Sequence, residues 1–171
     1  MISPSHPQMM ASYNGWMNER LFALCATLSD GDRKRDVGAF FRSIHGTLNH
    51  ILLGDRLWLG RFLGRPFVVD SLDQELYSEF VELRAEREST DREIGVWAKS
   101  LTPEQLADSL TYVSFTNPAK RMYPLWVTVV HFFNHQAHHR GQLTTLLCQL
   151  GLDPGVTDVI WLPELAATEM I

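Results

Sequence analysis

"HFFNHQAHHRGQLTTLLCQLG", residues 131–151, holds four of the seven histidines in the 171-residue chain. Its helical periodicity extends back to about Pro124 and on to about Leu150, where Gly151 is a natural C-cap. Each helical residue advances roughly 100° around the axis. With His131 at zero, His135 falls at roughly 40°, His139 at roughly 80°, Gln142 at roughly 20° and His138 at roughly 340°. The imidazoles therefore share one stripe about 100° wide, the side that a bundle helix turns inward. His135 and His139, one turn apart, can reach a common metal ion. His131 and His135 form a second pair. All three climb about 12 Å along the axis, too far for one ion, so a third ligand has to come from another helix.

The segment "SIHGTLNHILLGDRLWLGR", residues 43–61, supplies His45 and His50. Five residues apart, they point roughly 140° away from each other and cannot share a site. His50 lies on a partly small and polar side with Ser43, Gly46 and Thr47, whereas His45 borders a more apolar one. The pattern leans towards His50 without deciding between them. A metal-bound imidazole needs an acceptor for its other N–H, and Asn49, Asn134, Asp55 and Gln142 are the candidates. His131 and His138 read as packing residues beside the site, and His6 sits in a start that precedes the helices.

Three further helices complete the pattern. The first spans about Pro7–Leu28 and ends at "SDGD" around Gly31. The second runs from about Asp36, a plausible N-cap, to Leu63. The third runs from about Ser71 to Ser100, its charge run at 82–93 marking a solvated face. Residues 108–123 suggest two short extended pieces around an Asn-Pro turn, and the tail a loop followed by a short helical piece. The expected fold is all-α: one four-helix-bundle domain over residues 1–171, with a hairpin before the last long helix.

Composition bounds the function. Apolar residues are 45% of the chain and the net charge is −5, with twelve Arg and only Lys34, Lys99 and Lys120. There is no basic stripe for nucleic acid, no apolar run able to cross a bilayer and no secretory leader. Cys25 and Cys148 read as reduced thiols, which makes the cytoplasm the expected location. His-Glu-x-x-His is absent because Gln136 follows His135, and Gln136 cannot act as a general base. Glu-x-x-His pairs and Gly-x-Ser-x-Gly are absent too, which excludes zincin, ferritin-like and serine-hydrolase readings. Arg61 and Arg140 are able to hold a substrate carboxylate, but read more simply as charges on a solvated helix edge.

Taken together and in this order, "SIHGTLNHILLGDRLWL" (43–59) and "HFFNHQAHHRGQLTTLLCQLG" (131–151) closely resemble the DinB family of YfiT-like, damage-inducible bundle proteins. The likeness spans nearly the whole chain. It implies a four-helix bundle, often dimeric, with a divalent metal, commonly zinc or nickel, held by three histidines. Carried over by position, those are His50, His135 and His139, which breaks the tie in helix two. Some relatives are similar to enzymes that use low-molecular-weight thiols, such as bacillithiol- or mycothiol-dependent transferases and a maleylpyruvate isomerase. The implied function is a metal-dependent enzyme with an open coordination position, transferring a thiol to a small-molecule electrophile. The alternative is a non-catalytic metal-binding, structural or sensing bundle. Surplus apolar residues on helix two suit either a central helix or a homodimer interface.

Overall fold

The computed structural model describes residues 1–115 and 117–165. Four long helices form the bundle: α1 (Ser5–Cys25), α3 (Ile44–Phe62), α4 (Phe80–Ser100) and α6 (Leu125–Gln149). Each packs on two others, in the cyclic order α1–α4–α3–α6. Two short helices, α2 (Asp30–Lys34) and α5 (Pro103–Ala107), and the antiparallel strands β1 (Ser109–Val113) and β2 (Lys120–Pro124) complete the described fold, with two 3-10 turns near the end. The strands pair from Ser109–Pro124 to Val113–Lys120, so the hairpin foreseen before the last helix forms there. The expected terminal helical piece falls on the 3-10 turns and on residues 166–171, the latter outside the described residues. No helix among the described residues is long and apolar enough to cross a membrane.

Helix boundaries differ from expectation at four places. His6 lies in the first turn of α1 rather than before it. Gly31 does not end a helix but sits inside α2, which Ser29 caps by accepting from the Asp32 N–H. The second long helix starts at Ile44, not near Asp36. Ser43 is its N-cap, and Asp36 instead accepts from the Gly38 N–H and pairs with Arg42. Residues 36–43 fold back as a tight turn with Arg42 in the left-handed region at φ 67°.

α4 begins at Phe80, well after Ser71. The stretch between α3 and α4 is a loop whose apolar residues mimic helical spacing. Val69, Leu72 and Leu76 pack instead against Leu53 and Leu57 of α3. Asn49 holds the loop, its Oδ1 accepting from the N–H groups of Leu76 and Tyr77 at 2.9 and 3.0 Å. His45 joins it, Nε2 lying 2.8 Å from the Tyr77 carbonyl oxygen.

α3 is the most fully buried of the four long helices, covered outside the bundle by the 36–43 turn and the loop before α4. Its residues Ile44, Leu48, Ile51, Leu52, Leu53 and Leu59 are all buried, and each is worth about 1.5–3 kcal/mol of transfer free energy. Burial on several sides accounts for the surplus apolar surface that its sequence shows.

The core has an apolar part at each end and a polar layer between them. One end gathers Met17, Leu21, Leu48, Leu52, Leu83 and Leu143. The other gathers Trp58, Leu59, Ile94, Trp97, Phe132 and Phe133. Between them lie Asn14 and Asn18 of α1, Asp55 of α3, Arg87 and Asp91 of α4, and Gln136 and Arg140 of α6. Arg87 donates to Asp55 at 2.6 Å and pairs with Asp91 at 2.8 Å. Gln136 donates to the other Asp55 oxygen at 2.8 Å. Asn14 and Asn18 donate to Asp91 at 2.9–3.1 Å, and Arg140 donates to Asn14. Two expectations fail here: Arg87 of the charge run and Arg140 are buried rather than solvated. A charge in the interior is tolerable because opposite charges and amides meet it there.

Candidate metal centre

His50 of α3 and His135 and His139 of α6 converge at the junction of these two helices. Nε2 of His139 lies 3.2 Å from Nε2 of His50 and 3.2 Å from Nε2 of His135. One ring nitrogen from each residue lies within 4.8 Å of the other two, and this group can hold a metal ion. Imidazoles bound to tetrahedral zinc at about 2.0–2.1 Å have nitrogens about 3.3 Å apart. The observed spacing suits such a donor set.

The hydrogen bonds at the far side of the His50 and His139 rings set their tautomers. Nδ1 of His50 is 2.8 Å from the Leu72 carbonyl oxygen, which can only accept, so that nitrogen carries the proton. Nδ1 of His139 faces Oε1 of Gln142 at 2.8 Å. Gln142 is one of the acceptors anticipated from sequence; Asn49 and Asp55 are engaged elsewhere, and Asn134 is exposed. Both Nε2 atoms are then bare, and two lone pairs face each other across 3.2 Å. A proton is a poor remedy. Burial lowers the His50 pKa to about 4 and, aided by the neighbouring imidazoles, that of His135 to about 3. Neutral imidazole nitrogens turned towards one point are what a divalent cation requires.

Two glycines and a phenylalanine shape the site. A Cβ on Gly54, one turn beyond His50, would lie 2.7 Å from Cε1 of His135, so the bare glycine backbone provides room for that ring. Phe41, in the 36–43 turn, stacks on His50 with centroids 3.8 Å apart and planes 16° apart, and meets His139 edge-on at 5.5 Å. The turn sits so close to α3 that a Cβ on Gly46 would fall 2.2 Å from the Phe41 carbonyl oxygen. Neither Phe41 nor Gly54 stood out in the sequence as a site residue. A glycine in mid-helix, one turn from a histidine, is the signal that was available.

The other histidines lie elsewhere. His45 is buried against the loop, on a different side of α3 from His50. His131 is exposed and packs on Trp58 at 4.9 Å, while its centroid is 6.1 Å from that of His135. His138 is exposed, near Gln142. Asp55 cannot add a fourth ligand, because both its oxygens are committed to Arg87 and Gln136. Among the described residues, the metal-capable group comprises the three histidines alone.

Comparisons with known proteins agree with this architecture. Protein DinB of Bacillus subtilis (strain 168) is 26% identical over 149 residues, covering 85% of this chain and 87% of that protein. The crystal structure of a DinB-like protein from Bacillus cereus ATCC 10987 superposes with a TM-score of 0.60 at 22% identity, over 82% of this chain and 90% of that one, a likeness of fold. The sequence profile of the DinB family matches residues 1–170. The chain belongs to the DinB family.

Proposed function

We propose that His50, His135 and His139 bind one divalent metal ion, zinc or nickel as the family resemblance implies, and that the chain is a metal-dependent enzyme. The observation that carries this reading is the pair of unprotonated Nε2 atoms 3.2 Å apart, with a third at the same distance. Three imidazoles leave a coordination position free, as in catalytic zinc sites, whereas structural sites take four protein ligands. Such an ion lowers the pKa of a thiol or water that reaches it.

Thiol transfer to a small electrophile is the favoured reaction. A glutamine, not a carboxylate, follows His135, and its side chain is turned away to Asp55, so no general base for water lies next to that ligand. In that transfer the thiol proton passes to solvent, sulfur forms the bond to carbon, and the leaving group departs with its electron pair. His50, His135 and His139 hold the ion, Gln142 and the Leu72 carbonyl fix two of the rings, and Phe41 keeps water from one face of the cluster. The reading includes a homodimer, supported by exposed apolar side chains on and beside the hairpin: Val113, Phe115 and Met122.

Elemental analysis of tag-free protein tests the site. A stoichiometric divalent ion is expected, lost in His50→Ala, His135→Ala and His139→Ala. Full metal content in those variants would falsify the assignment. A screen of thiol–electrophile pairs, followed by loss of thiol, then tests the reaction.

A further inference from the structure

Arg61 differs from the other arginines that α3 and α4 turn inward. Its guanidinium carbon lies 4.5 Å from the ring centroid of Trp58 and 4.5 Å from that of Tyr112. Stacking between two rings fixes a planar cation while leaving its N–H donors free. Arg56 spends its donors on Glu86 and Tyr77, and Arg87 on Asp55. Among the described residues Arg61 has no hydrogen-bonded or ion-paired side-chain partner. Partial burial without a counter-charge draws its pKa below the ordinary arginine value. It is half-buried, not on the solvated helix edge that the sequence suggested.

The surroundings are shaped for an anion. Arg61 lines a cleft of about 570 Å³ with Phe67 and Tyr112. Tyr112 is shared with a second cleft of about 280 Å³, walled by Trp58, Tyr123 and His131. Among the described residues neither wall carries an acidic side chain, although the chain has a net charge of −5. His131, a wall of the second cleft, is also the ring that neighbours His135 of the triad. Arg61 follows Gly54 by seven residues, which places it on the same stripe of α3, about 10 Å further along the axis. The ring of His131 occupies the interval, 4.9 Å from Trp58 and 6.1 Å from His135.

We propose that Arg61 is a carboxylate-binding subsite, and that the small-molecule ligand of this protein is an organic acid whose carboxylate sits there while the rest of the molecule extends along α3 towards the histidines. The aromatic clamp orients the guanidinium fork, the carboxylate accepts from it as a charge-assisted pair, and the apolar clefts take the intervening carbons. This assignment rests on the triad as the reactive centre, but its test does not. The probe is hexanoate, with 1-hexanol as its neutral counterpart, titrated calorimetrically into the full chain as purified and after chelation.

Wild type is expected to bind hexanoate at least about tenfold more tightly than hexanol in both states. Arg61→Gln is expected to erase the preference with metal content unchanged. Arg61→Lys, which keeps the charge without the planar fork, is expected to retain a preference several-fold weaker. Equal binding of the two probes by wild type, or a preference undiminished in either variant, overturns the subsite. A hexanoate preference in protein that purifies without metal supports the subsite and counts against the triad reading alone.

Discussion

At the scale of single residues, the site depends on a missing methyl group as much as on its ligands. Gly54→Ala puts a Cβ 2.7 Å from Cε1 of His135, too close for that ring to stay in place, and a side chain can move more cheaply than a helix backbone. The expected result is a metal affinity about 10–100-fold weaker, with a nearly unchanged melting temperature; competition against a chromophoric chelator measures it. The histidines also make the metal-free fold sensitive to acid. Their folded-state pKa values, about 4 for His50 and about 3 for His135, lie below the 6.5 of an ordinary imidazole because burial penalises the charged ring. Between those limits the unfolded chain takes up protons that the folded one refuses. This contribution to stability is therefore complete above about pH 6.5 and is lost as the pH falls towards 3. Thermal melts of chelated protein should drop over that window, and His135→Gln should flatten the slope. Melts that stay level from pH 6.5 to 4 would show that the rings are not held neutral by burial.

At the scale of elements, the polar layer ties the four long helices together. Asp55→Ala leaves Arg87 buried with Asp91 alone and strands Gln136; the expected cost is about 3–5 kcal/mol in urea unfolding. Little of this layer was legible in the sequence, although its pairs are spaced one turn apart: Asn14 with Asn18, Arg87 with Asp91. Periodicity counts apolar residues, so a buried salt bridge resembles solvated surface. The pairing of His135 with His139 was legible because residues one turn apart share a face, but the inward stripe drawn through all four imidazoles was too wide, since His131 and His138 are exposed. His45 and His50 separated because five residues turn a helix by roughly 140°. The starts of α3 and α4 were not legible. Asp36 has the chemistry of a cap but serves a tight turn, and Val69, Leu72 and Leu76 carry helical spacing into a loop that packs on Leu53 and Leu57. Asn49, which secures that loop, gives another test. Asn49→Ala removes the acceptor for two loop N–H groups, and limited proteolysis should then cut between residues 63 and 79 faster, while α1 stays protected.

For the molecule as a whole, the burial of α3 on nearly all sides removes one reason for expecting a partner copy, since its apolar surface is used internally. The hairpin region supplies another, and light scattering at high concentration decides: a dimer is expected, and Met122→Asp should reduce it to a monomer. A monomeric wild type would end that expectation while leaving the metal reading intact. His50 spans two layers of this architecture, with one nitrogen turned to the α6 histidines and the other fixed by the backbone of the loop at Leu72. Ion retention is in that way tuned from a segment that contributes no ligand. Transplanting a loop of different length between Leu63 and Glu79 would re-aim one imidazole, giving variants graded in their hold on the ion with the donor set untouched.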